Sequence, residues 1–212
     1  QHGTVSVVID KEVFEITTFR IDGSYEDGRH PNSVVFTTDV EKDLARRDFT
    51  INAMAYSPLV GLIDPFNGLE DIKKKILRTV GNPKDRFAED ALRILRAVRF
   101  QAVLGFSIDF DTKAEMRAQR ENLLKISKER ICAEVNKMFE GVYLSKAINN
   151  FKDVMIPIIP EFKDMIGFNQ HNPYHKYDVW LHTYHTIKSC PLDRITRLAA
   201  LFHDIGKPRC FQ

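Results

Sequence analysis

The sequence predicts an α+β fold in which strands occupy the first third of the chain and helices the rest. Two runs rich in β-branched residues, Thr4–Ile9 and Val13–Phe19, are typical of strands. Beyond Phe66 the strand signals fade, and we expect an all-helical remainder because apolar residues recur there at three- and four-residue spacing. The clearest such pattern runs from Arg86 to Phe100.

The first two strands are predicted to form a hairpin across Asp10-Lys-Glu12. Glu15 places a carboxylate between Phe14 and Ile16. In a central strand an unpaired charge is costly unless a metal ion or a cation accompanies it. Alternation along the strand equally allows Glu15 to face solvent, and both interpretations stay open on this pattern alone.

A charged, turn-rich loop over residues 22–31 precedes a predicted short strand at Val34–Thr37. A helical pattern then begins at Asp39, with Thr38 or Asp39 as its N-cap. The segment from Gly61 to Gly68 predicts a short strand, a turn and a domain joint.

The segment Arg46-Arg-Asp-Phe-Thr-Ile-Asn52 suits a nucleotide. Arginine forks match phosphate oxygens, and an Asp or Asn side chain can hold a sugar hydroxyl. The alternative is a helix end that carries surface ion pairs.

The pattern from Arg86 to Phe100 predicts one amphipathic helix with two distinct faces. The apolar residues at helical spacing form a stripe, which comprises Leu92, Leu95, Val98 and Ala102. The charged residues gather on another face, and they are Glu89, Asp90, Arg93 and Arg96. This face is either a solvated surface or a template that recognises a base.

The template hypothesis follows from hydrogen-bonding capacity. A carboxylate only accepts hydrogen bonds and a guanidinium only donates them. Asp90 can therefore accept from the amino group of cytosine or adenine while Arg93 donates to the adjacent ring nitrogen. Uracil and guanine carry a carbonyl where cytosine and adenine carry the amino group. Their carbonyl oxygen would therefore face the Asp90 carboxylate, which is also an acceptor.

Further helices are predicted along the remainder of the chain. Gly81-Asn-Pro83 separates the helix predicted at Leu69–Ile76 from the central helix. Ser127 is a candidate N-cap for the helix predicted to begin at Lys128. The predicted segments are Leu69–Ile76, Thr112–Leu123, Lys128–Phe139, Val179–Ile187 and Ile195–Asp204. The last two carry His182 and the pair His203-Asp204, which can converge on a divalent ion.

Composition narrows the function classes. A net charge of +2 over 212 residues does not indicate a protein-wide field for nucleic acid, so such binding must use local basic patches. Three cysteines without metal-like spacing suit a reducing cytosol, and no apolar run reaches the length of a membrane span. Both ends lack the tapering character of a domain boundary, and we expect a piece of a longer protein.

Four ordered blocks resemble the class II tRNA nucleotidyltransferases, which are the CCA-adding enzymes and the bacterial poly(A) polymerases. The blocks are Phe14–Arg20, Asp27–Pro31, Arg46–Asn52 and Arg86–Arg93. The tail with His182 and His203–Lys207 resembles the HD domain of one branch of this family. The resemblance covers nearly the whole chain.

The resemblance implies a role for each matched residue. Glu15 corresponds to the third catalytic acid beside a two-Mg²⁺ centre, and the segment Lys128–Ile131 braces the template helix. The implied nucleotide-binding residues are Asp27 and Arg29 in a flexible loop, Arg46, Arg47, Asp48, Asn52, and the template helix residues Glu89, Asp90, Arg93 and Arg96. A second divalent metal would use His182, His203 and Asp204.

The implied architecture is the C-terminal part of a polymerase-β-like nucleotidyltransferase head over residues 1–65, a helical neck over 66–140 and a helical body with a partial HD domain over 141–212. The implied activity is CCA addition to tRNA 3′ ends from CTP and ATP in the cytoplasm, without a membrane. Poly(A), A-only or CC-only addition share these motifs. Two further hypotheses remain open, an HD-type phosphohydrolase and a non-catalytic tRNA-binding piece.

One departure from the family limits the expected activity. The glycine-rich segment and the paired Asp-x-Asp that carry both metal ions would precede Gly3, and the sequence does not contain them. Glu15 alone cannot assemble a two-metal site. We therefore expect that this chain does not polymerise nucleotides by itself.

Overall fold

An antiparallel hairpin begins the fold of this computed structural model, which describes residues 3–23, 31–170 and 176–210. Strands β1 (Thr4–Ile9) and β2 (Glu12–Thr17) pair with Val5 opposite Ile16. Asp10 and Lys11 both adopt positive φ, at 49° and 71°, which is the backbone of the two-residue turn that matches strand twist. The predicted hairpin is confirmed, with its second strand ending at Thr17.

Two shorter antiparallel ladders follow the hairpin. Strands β3 (Arg20–Asp22) and β4 (Val34–Phe36) form one, and β5 (Ala55–Ser57) and β6 (Gly61–Ile63) form the other. The sequence predicts β4 and β6 but neither partner strand. Helix α1 (Val40–Ala45) lies between the ladders in the chain.

The predicted N-cap of α1 is confirmed. The Asp39 side chain accepts hydrogen bonds from the backbone N–H groups of Glu41 and Lys42. The cap satisfies two donors that a helix start leaves without intrahelical partners. A 3₁₀ helix at Thr50–Asn52 follows.

The predicted single helix over residues 86–100 is wrong. Helix α2 (Gly68–Lys74) precedes two separate helices, α3 (Pro83–Glu89) and α4 (Leu92–Leu104). Asp90 separates them with an extended backbone at φ −151° and ψ 102°, and its carboxylate accepts from the N–H of Leu92. Short polar side chains compete in this way with helical hydrogen bonds.

The prediction of an all-helical region beyond Phe66 is also wrong. Strand β7 (Ile76–Leu77) pairs in parallel with β8 (Ser107–Ile108). These two strands flank α3 and α4 in the chain, so both helices form the crossover connection between two parallel strands. Two residues are too few to show the alternation that identifies a strand in sequence.

Helices and one further 3₁₀ segment form the rest of the described chain. The predicted segment Thr112–Leu123 divides into two elements, whereas Lys128–Phe139 is confirmed. Ser127 precedes that helix, but its hydroxyl forms no capping hydrogen bond. The elements are α5 (Phe110–Ala118), a 3₁₀ helix at Arg120–Lys125, α6 (Lys128–Phe139), α7 (Leu144–Asn150), α8 (Lys152–Met155), α9 (Glu161–Met165), α10 (Val179–Ser189), α11 (Arg194–Phe202) and α12 (Lys207–Cys210). Both helices predicted for the tail are therefore present, and the second ends at Phe202.

Helix α4 lies at the centre of the main hydrophobic core, where it packs against α6 and α7. Ile94, Leu95 and Val98 have no exposed surface, and the predicted apolar stripe is confirmed as buried. The same core runs from Phe49 to Leu201. The division into parts at residues 65 and 140 stays a prediction. No helix within the described ranges is both long enough and apolar enough to span a membrane.

A buried arginine joins the tail helices to α6. Arg197 on α11 is 5% exposed. Its Nη1 donates to the carbonyl oxygens of Phe139 and Gly141 at 3.0 and 2.7 Å, and its Nε donates to the carbonyl oxygen of Pro191 at 3.0 Å. The last carbonyls of a helix lack intrahelical donors, so Arg197 satisfies the end of α6 from a distant part of the chain.

Replacing Arg197 with alanine is expected to lower the free energy of unfolding by about 2–4 kcal/mol, because buried carbonyls lose their donors. Urea denaturation measures the difference. Arg194→Ala, at an exposed position on the same helix, is the control and should change stability by less than about 0.5 kcal/mol. Equal losses in the two variants would contradict the capping role.

Candidate functional site

An arginine-rich cleft lies where the segment after α1 meets α4. It has a volume of about 650 Å³. Most of the side chains facing it are guanidinium groups, accompanied by one carboxylate, one amide and one ring. The lining residues are Arg46, Arg47, Asp48, Asn52, Arg93, Arg96, Arg99 and Phe100. Six of these eight residues are among the predicted nucleotide-binding positions.

A buried carboxylate orients the first two arginines. Asp43 is 1% exposed, and its Oδ1 accepts from Arg46 Nε and Nη2 at 2.9 and 2.7 Å and from the Arg20 N–H at 3.1 Å. Arg47 Nη2 lies 3.5 Å from Oδ2. Burial opposes ionisation of the Asp43 carboxyl, but the hydrogen bonds from Arg46 and Arg20 together with the positive charges of Arg46 and Arg47 outweigh it and hold its pKa below the usual value.

Asp48 links the predicted nucleotide segment to α4. Its Oδ1 accepts from the Phe49 N–H at 2.8 Å and from Asn52 Nδ2 at 3.0 Å. Its Oδ2 accepts from Arg96 Nε at 2.7 Å, and Arg96 Nη2 lies at 2.6 Å. The carboxylate thus fixes an amide and a guanidinium at the same edge of the cleft.

Arg93 is held by groups on two other segments, α3 and the residues that follow α1. Its Nη1 donates to Glu89 Oε2 at 2.6 Å and to the Arg86 carbonyl at 3.1 Å, while Nη2 donates to the Arg46 carbonyl at 3.2 Å. Glu89 also pairs with Arg86 Nη2 at 2.6 Å. Glu89 therefore acts behind Arg93, and it does not line the cleft.

Asp90 lies at the α3–α4 break and does not line the cleft. Its Oδ2 accepts from Arg130 Nη2 on α6 at 2.7 Å, and its Oδ1 accepts from the Leu92 N–H at 3.0 Å. A carboxylate offers about four acceptor sites, so these two bonds leave capacity for another donor. Asp90 and Arg93 are neighbours at a helix junction, not on one continuous rod.

Arg99 closes the other side of the cleft. Its guanidinium lies 4.2 Å from the centre of the Phe100 ring, and its Nε lies 2.9 Å from Oε2 of the 5% exposed Glu134. Burial lowers the pKa of Arg99; Glu134 opposes this shift and Arg96 adds to it. Glu134 Oε1 also lies 3.7 Å from Arg96 Nη1, so one carboxylate serves both arginines.

The arrangement suits an anionic ligand that also carries hydrogen-bonding groups. Guanidinium forks match phosphate oxygens in geometry and in charge. The Asp48 and Asn52 side chains lie beside the forks and can receive hydroxyl groups. The cleft therefore combines phosphate binding with polar recognition.

The remaining predicted residues of the head do not join this cleft. Glu15 lies on β2 opposite Ser6, is exposed and does not line the cleft. Asp27 and Arg29 lie outside the described residues. One exposed carboxylate does not make a two-metal centre, so the described residues do not fit a pair of Mg²⁺ ions.

A second group of polar side chains forms between α10 and α11. His182 Nε2 and His203 Nε2 lie 3.1 Å apart, and Asp204 Oδ2 lies 3.5 and 3.2 Å from them. The three ligand atoms lie within 4.8 Å of one another. The predicted convergence of His182, His203 and Asp204 is present in the structure.

Neighbouring groups orient this cluster. His203 Nδ1 lies 2.8 Å from the Ala200 carbonyl, which can only accept, so Nδ1 is the donor and Nε2 faces His182 Nε2 and Asp204 Oδ2. Lys207 Nζ lies 2.7 Å from Asp204 Oδ2 and 3.0 Å from Gln170 Oε1. A cation at the cluster would therefore compete with the Lys207 ammonium for Asp204.

Sequence reasoning missed several residues that complete the cleft. Arg99 follows Arg93 and Arg96 at three-residue spacing, so helical periodicity contains a signal for it. Asp43 lies three and four residues before Arg46 and Arg47, so helical periodicity contains a signal for it as well. Glu134 carries no local signal, and it is recognised as a site residue only when the fold brings its carboxylate against Arg96 and Arg99.

Two family models match the chain. Residues 1–78 match the poly A polymerase head domain, and residues 105–165 match the model described as a probable RNA and SrmB-binding site of polymerase A. The chain is 49% identical over 156 residues to the CCA-adding enzyme of Oceanobacillus iheyensis, a match that covers 74% of this chain and 39% of that protein.

Another relative and a solved structure agree with these matches. The CCA-adding enzyme of Bacillus velezensis is 45% identical over 170 residues, covering 80% of this chain and 42% of that enzyme. The structure of the Bacillus stearothermophilus CCA-adding enzyme in complex with CTP matches with a TM-score of 0.67 at 38% identity, covering 77% of this chain and 40% of that chain. The chain thus spans about 40% of the length of these relatives.

Replacing Asp43 with asparagine is expected to lower the free energy of unfolding by about 1–3 kcal/mol at pH 7. The folded pKa of Asp43 is below the unfolded value of about 3.9. Its stabilisation is therefore complete above the unfolded pKa and is lost as pH falls through the folded pKa. The difference from the unmodified protein should shrink as pH falls from 5 to 3.

Urea denaturation at pH 7, 5, 4 and 3 measures this dependence. The control is Asp111→Asn, which removes an exposed carboxylate and should change stability by less than about 0.5 kcal/mol. A difference for Asp43→Asn that stays constant from pH 7 to 3 would contradict the assigned ion pairing.

Proposed function

The chain belongs to the family of CCA-adding enzymes and poly(A) polymerases, and from that premise we propose that it forms the nucleotide-selecting part of a tRNA nucleotidyltransferase. The reaction is the addition of CCA to a tRNA 3′ end from CTP and ATP. The observation that carries the proposal is the single cleft shared by Asp48, Asn52 and Arg93 with the surrounding arginines. A-only, CC-only and poly(A) addition would use the same cleft.

We assign the triphosphate of the nucleotide to the guanidinium groups of the cleft and its ribose to the carboxylate and amide side chains. The guanidinium groups of Arg46, Arg47 and Arg99 bind the triphosphate oxygens. Asp48 and Asn52 receive the ribose hydroxyls. This assignment accounts for the polar groups at the Asp48 edge of the cleft. Arg96, the remaining one, is bound by the Asp48 carboxylate itself.

We assign base recognition to Asp90 and Arg93. Arg93 projects into the cleft, while Asp90 keeps two acceptor sites beyond its bonds to Arg130 and Leu92. An acceptor beside a donor pairs with the amino group and ring nitrogen of cytosine or adenine. The carbonyl of uracil or guanine would face the Asp90 carboxylate and leave two acceptors opposed.

The chemistry of transfer needs more than these residues. Mg²⁺ supplies charge stabilisation to the attacking and leaving oxygens in reactions of this type. Glu15 is the residue proposed to contribute to such a centre, and the described carboxylates do not complete it. The described residues are proposed to bind and orient the nucleotide, and the chain alone is not expected to transfer it.

This role implies a cytoplasmic protein, since bacterial tRNA is processed there. The exposed thiols of Cys132 and Cys210 agree with a reducing compartment. The proposed partners are CTP, ATP and the 3′ end of tRNA.

The His182, His203 and Asp204 cluster favours a second candidate function, a metal-dependent phosphohydrolase. We propose that these three side chains bind one divalent ion. When bound, such an ion activates water and polarises a phosphate oxygen. The Nε2 atom of His203 and the carboxylate of Asp204 are ligands of the kinds that transition metals prefer.

Binding of the four nucleotides by this chain tests the template. Calorimetry is expected to show CTP and ATP binding at least about tenfold tighter than UTP and GTP, because one opposed acceptor pair costs about 1.4 kcal/mol or more. Asp90→Asn should reduce this preference to near one, since the new amide can donate to a carbonyl. Asp90→Ala combined with Arg93→Ala should also abolish it.

The matched control for this change is Asp85→Asn, which alters an exposed residue on α3 and should keep the preference. Incorporation of labelled CTP and ATP into tRNA lacking CCA, by the complete gene product, gives the second measurement. If Asp90→Asn binds the four nucleotides with unaltered preference, the template assignment is wrong.

Measurement of bound Mn²⁺ tests the metal site proposed for the second candidate function. After equilibration with Mn²⁺ and desalting, the chain should retain about one ion, and His203→Ala should retain none. Lys207→Ala should bind Mn²⁺ more tightly, because the ammonium no longer competes for Asp204. His185→Ala is the control, since His185 stacks on Tyr177 outside the cluster. Retention of Mn²⁺ by His203→Ala would refute the site.

A further inference from the structure

Four polar side chains behind the arginine-rich cleft form a connected network that joins separate segments of the chain. Thr50 Oγ1 donates to Asp71 Oδ2 on α2 at 2.7 Å. The same oxygen accepts from Arg78 Nε at 3.3 Å, and Arg78 Nη1 lies 2.8 Å from Asp109 Oδ1. We call these four residues the Asp71 network. All four lie within the described ranges, and none of them lines the cleft.

The inner part of the network is shielded from water. Thr50 is 2% exposed and Asp71 is 6% exposed. A carboxylate at this depth is costly to leave without donors, and a hydrogen bond that involves a charged group is stronger than one between neutral groups. The bond between Thr50 and Asp71 is therefore expected to hold their two segments in one fixed relation.

Backbone contacts fix the same segment. The Thr50 N–H donates to the Arg78 carbonyl at 2.9 Å. The Val80 N–H donates to the Asp48 carbonyl at 3.0 Å. Helix α2 also approaches closely, since a Cβ atom at Gly68 would collide with the Thr50 carbonyl oxygen. Thr50 is thus held by its backbone as well as by its side chain.

Thr50 lies between the two cleft residues to which we assign the ribose. Asp48 precedes it by two residues and Asn52 follows it by two, and both of these residues line the cleft. Thr50 also begins the 3₁₀ helix that ends at Asn52. The Asp48 carboxylate accepts from Asn52 Nδ2 at 3.0 Å, which couples the two polar groups. A shift of Thr50 would therefore displace both groups that receive the ribose.

The network also connects this edge of the cleft to the helical part of the chain. Arg78 is the last residue that matches the head family model, whereas Asp109 lies in the segment that matches the second family model. Asp109 is also the N-cap of α5, where its Oδ2 accepts from the Thr112 N–H at 3.4 Å. Strands β7 and β8, which end next to Arg78 and Asp109, both contact α4. The network therefore relates the position of the ribose-binding side chains to that of the α4 arginines.

We propose that Thr50 and Asp71 are positioning residues for the ribose, and that the Asp71 network makes the cleft select ribonucleotides over 2′-deoxyribonucleotides. Because neither residue lines the cleft, both act through Asp48 and Asn52. Hydrogen bonds weaken steeply outside a narrow range of distance and angle, so a small displacement of these acceptors removes their advantage for a 2′-hydroxyl. This inference rests on the proposed function, which supplies the ribose assignment.

Comparison of CTP with 2′-deoxy-CTP tests the proposal. Calorimetry with the 212-residue chain is expected to show that CTP binds at least about tenfold more tightly, because the deoxynucleotide leaves a polar group of the cleft without its partner. Thr50→Val removes the hydroxyl that donates to Asp71 and keeps the branched shape. It should lower this ribose preference to about threefold or less. Thr50→Ser keeps the hydroxyl and should retain the full preference.

The preference for CTP over UTP separates positioning of the ribose from general damage to the fold. Base recognition is assigned to Asp90 and Arg93, so Thr50→Val should leave that preference unchanged. The matched control is Thr79→Val, at a residue that is also 2% exposed and lies on the paired segment. The Thr79 hydroxyl lies 3.5 Å from the Thr112 hydroxyl. This control should keep both the ribose preference and the base preference.

A second variant, Arg78→Met, acts on the network without altering a buried side chain. The Arg78 side chain is 45% exposed and supplies the other donor to Asp71. Its replacement should lower the ribose preference by at least about twofold. Circular dichroism establishes which variants are folded, and Arg78→Met provides the test if Thr50→Val is not.

An unaltered ribose preference in the folded test variants would overturn the proposal. An equal loss in Thr79→Val would also overturn it, as would a loss of the base preference that matches the loss of the ribose preference. The unmodified chain distinguishes this failure from that of the proposed function. If it binds CTP and 2′-deoxy-CTP equally, the ribose assignment itself is wrong. If it prefers CTP and the folded test variants keep that preference, the ribose assignment stands and the Asp71 network does not position the ribose.

Discussion

Mutual repulsion among arginines is the constraint on which the candidate site depends. Two unit charges about 7 Å apart repel by about 2 kcal/mol at an effective dielectric constant of about 20. The fold offsets this repulsion with carboxylates placed behind the guanidinium groups. Asp43, Asp48 and Glu134 are each buried and each contacts at least one cleft arginine. These ion pairs fix the arginines while leaving other donors directed into the cleft.

Helix α4 joins this electrostatic arrangement to the hydrophobic core. One face contributes Leu95 and Val98, which have no exposed surface, and another contributes Arg96 and Arg99 to the cleft. Because α6 packs against α4 and also supplies Glu134, the position of the arginines depends on core packing. A change in the α4–α6 contact would therefore alter the charge distribution in the cleft.

Local sequence patterns predict those elements whose formation depends on residues close together in the sequence. The hairpin follows from β-branched runs, the cap from Asp39, and the buried stripe of α4 from its period. The β7–β8 ladder has only two residues in each strand and depends on the crossover that brings them together. Glu134 joins the site through Arg96 and Arg99, which local periodicity does not identify as its partners. Asp43 pairs with Arg46 and Arg47 at helical spacing, but the hydrogen bond that it accepts from the Arg20 N–H depends on the tertiary structure.

The break at Asp90 changes how the proposed template would work. On one continuous helix, Asp90 and Arg93 would hold a fixed relation set by the helix alone. At the junction, the carboxylate is directed by Arg130 from α6, and the guanidinium is directed by Glu89 from α3. Acceptor and donor thus take their directions from different helices. Under the proposed role, selection of an amino-bearing base depends on how α3, α4 and α6 pack together.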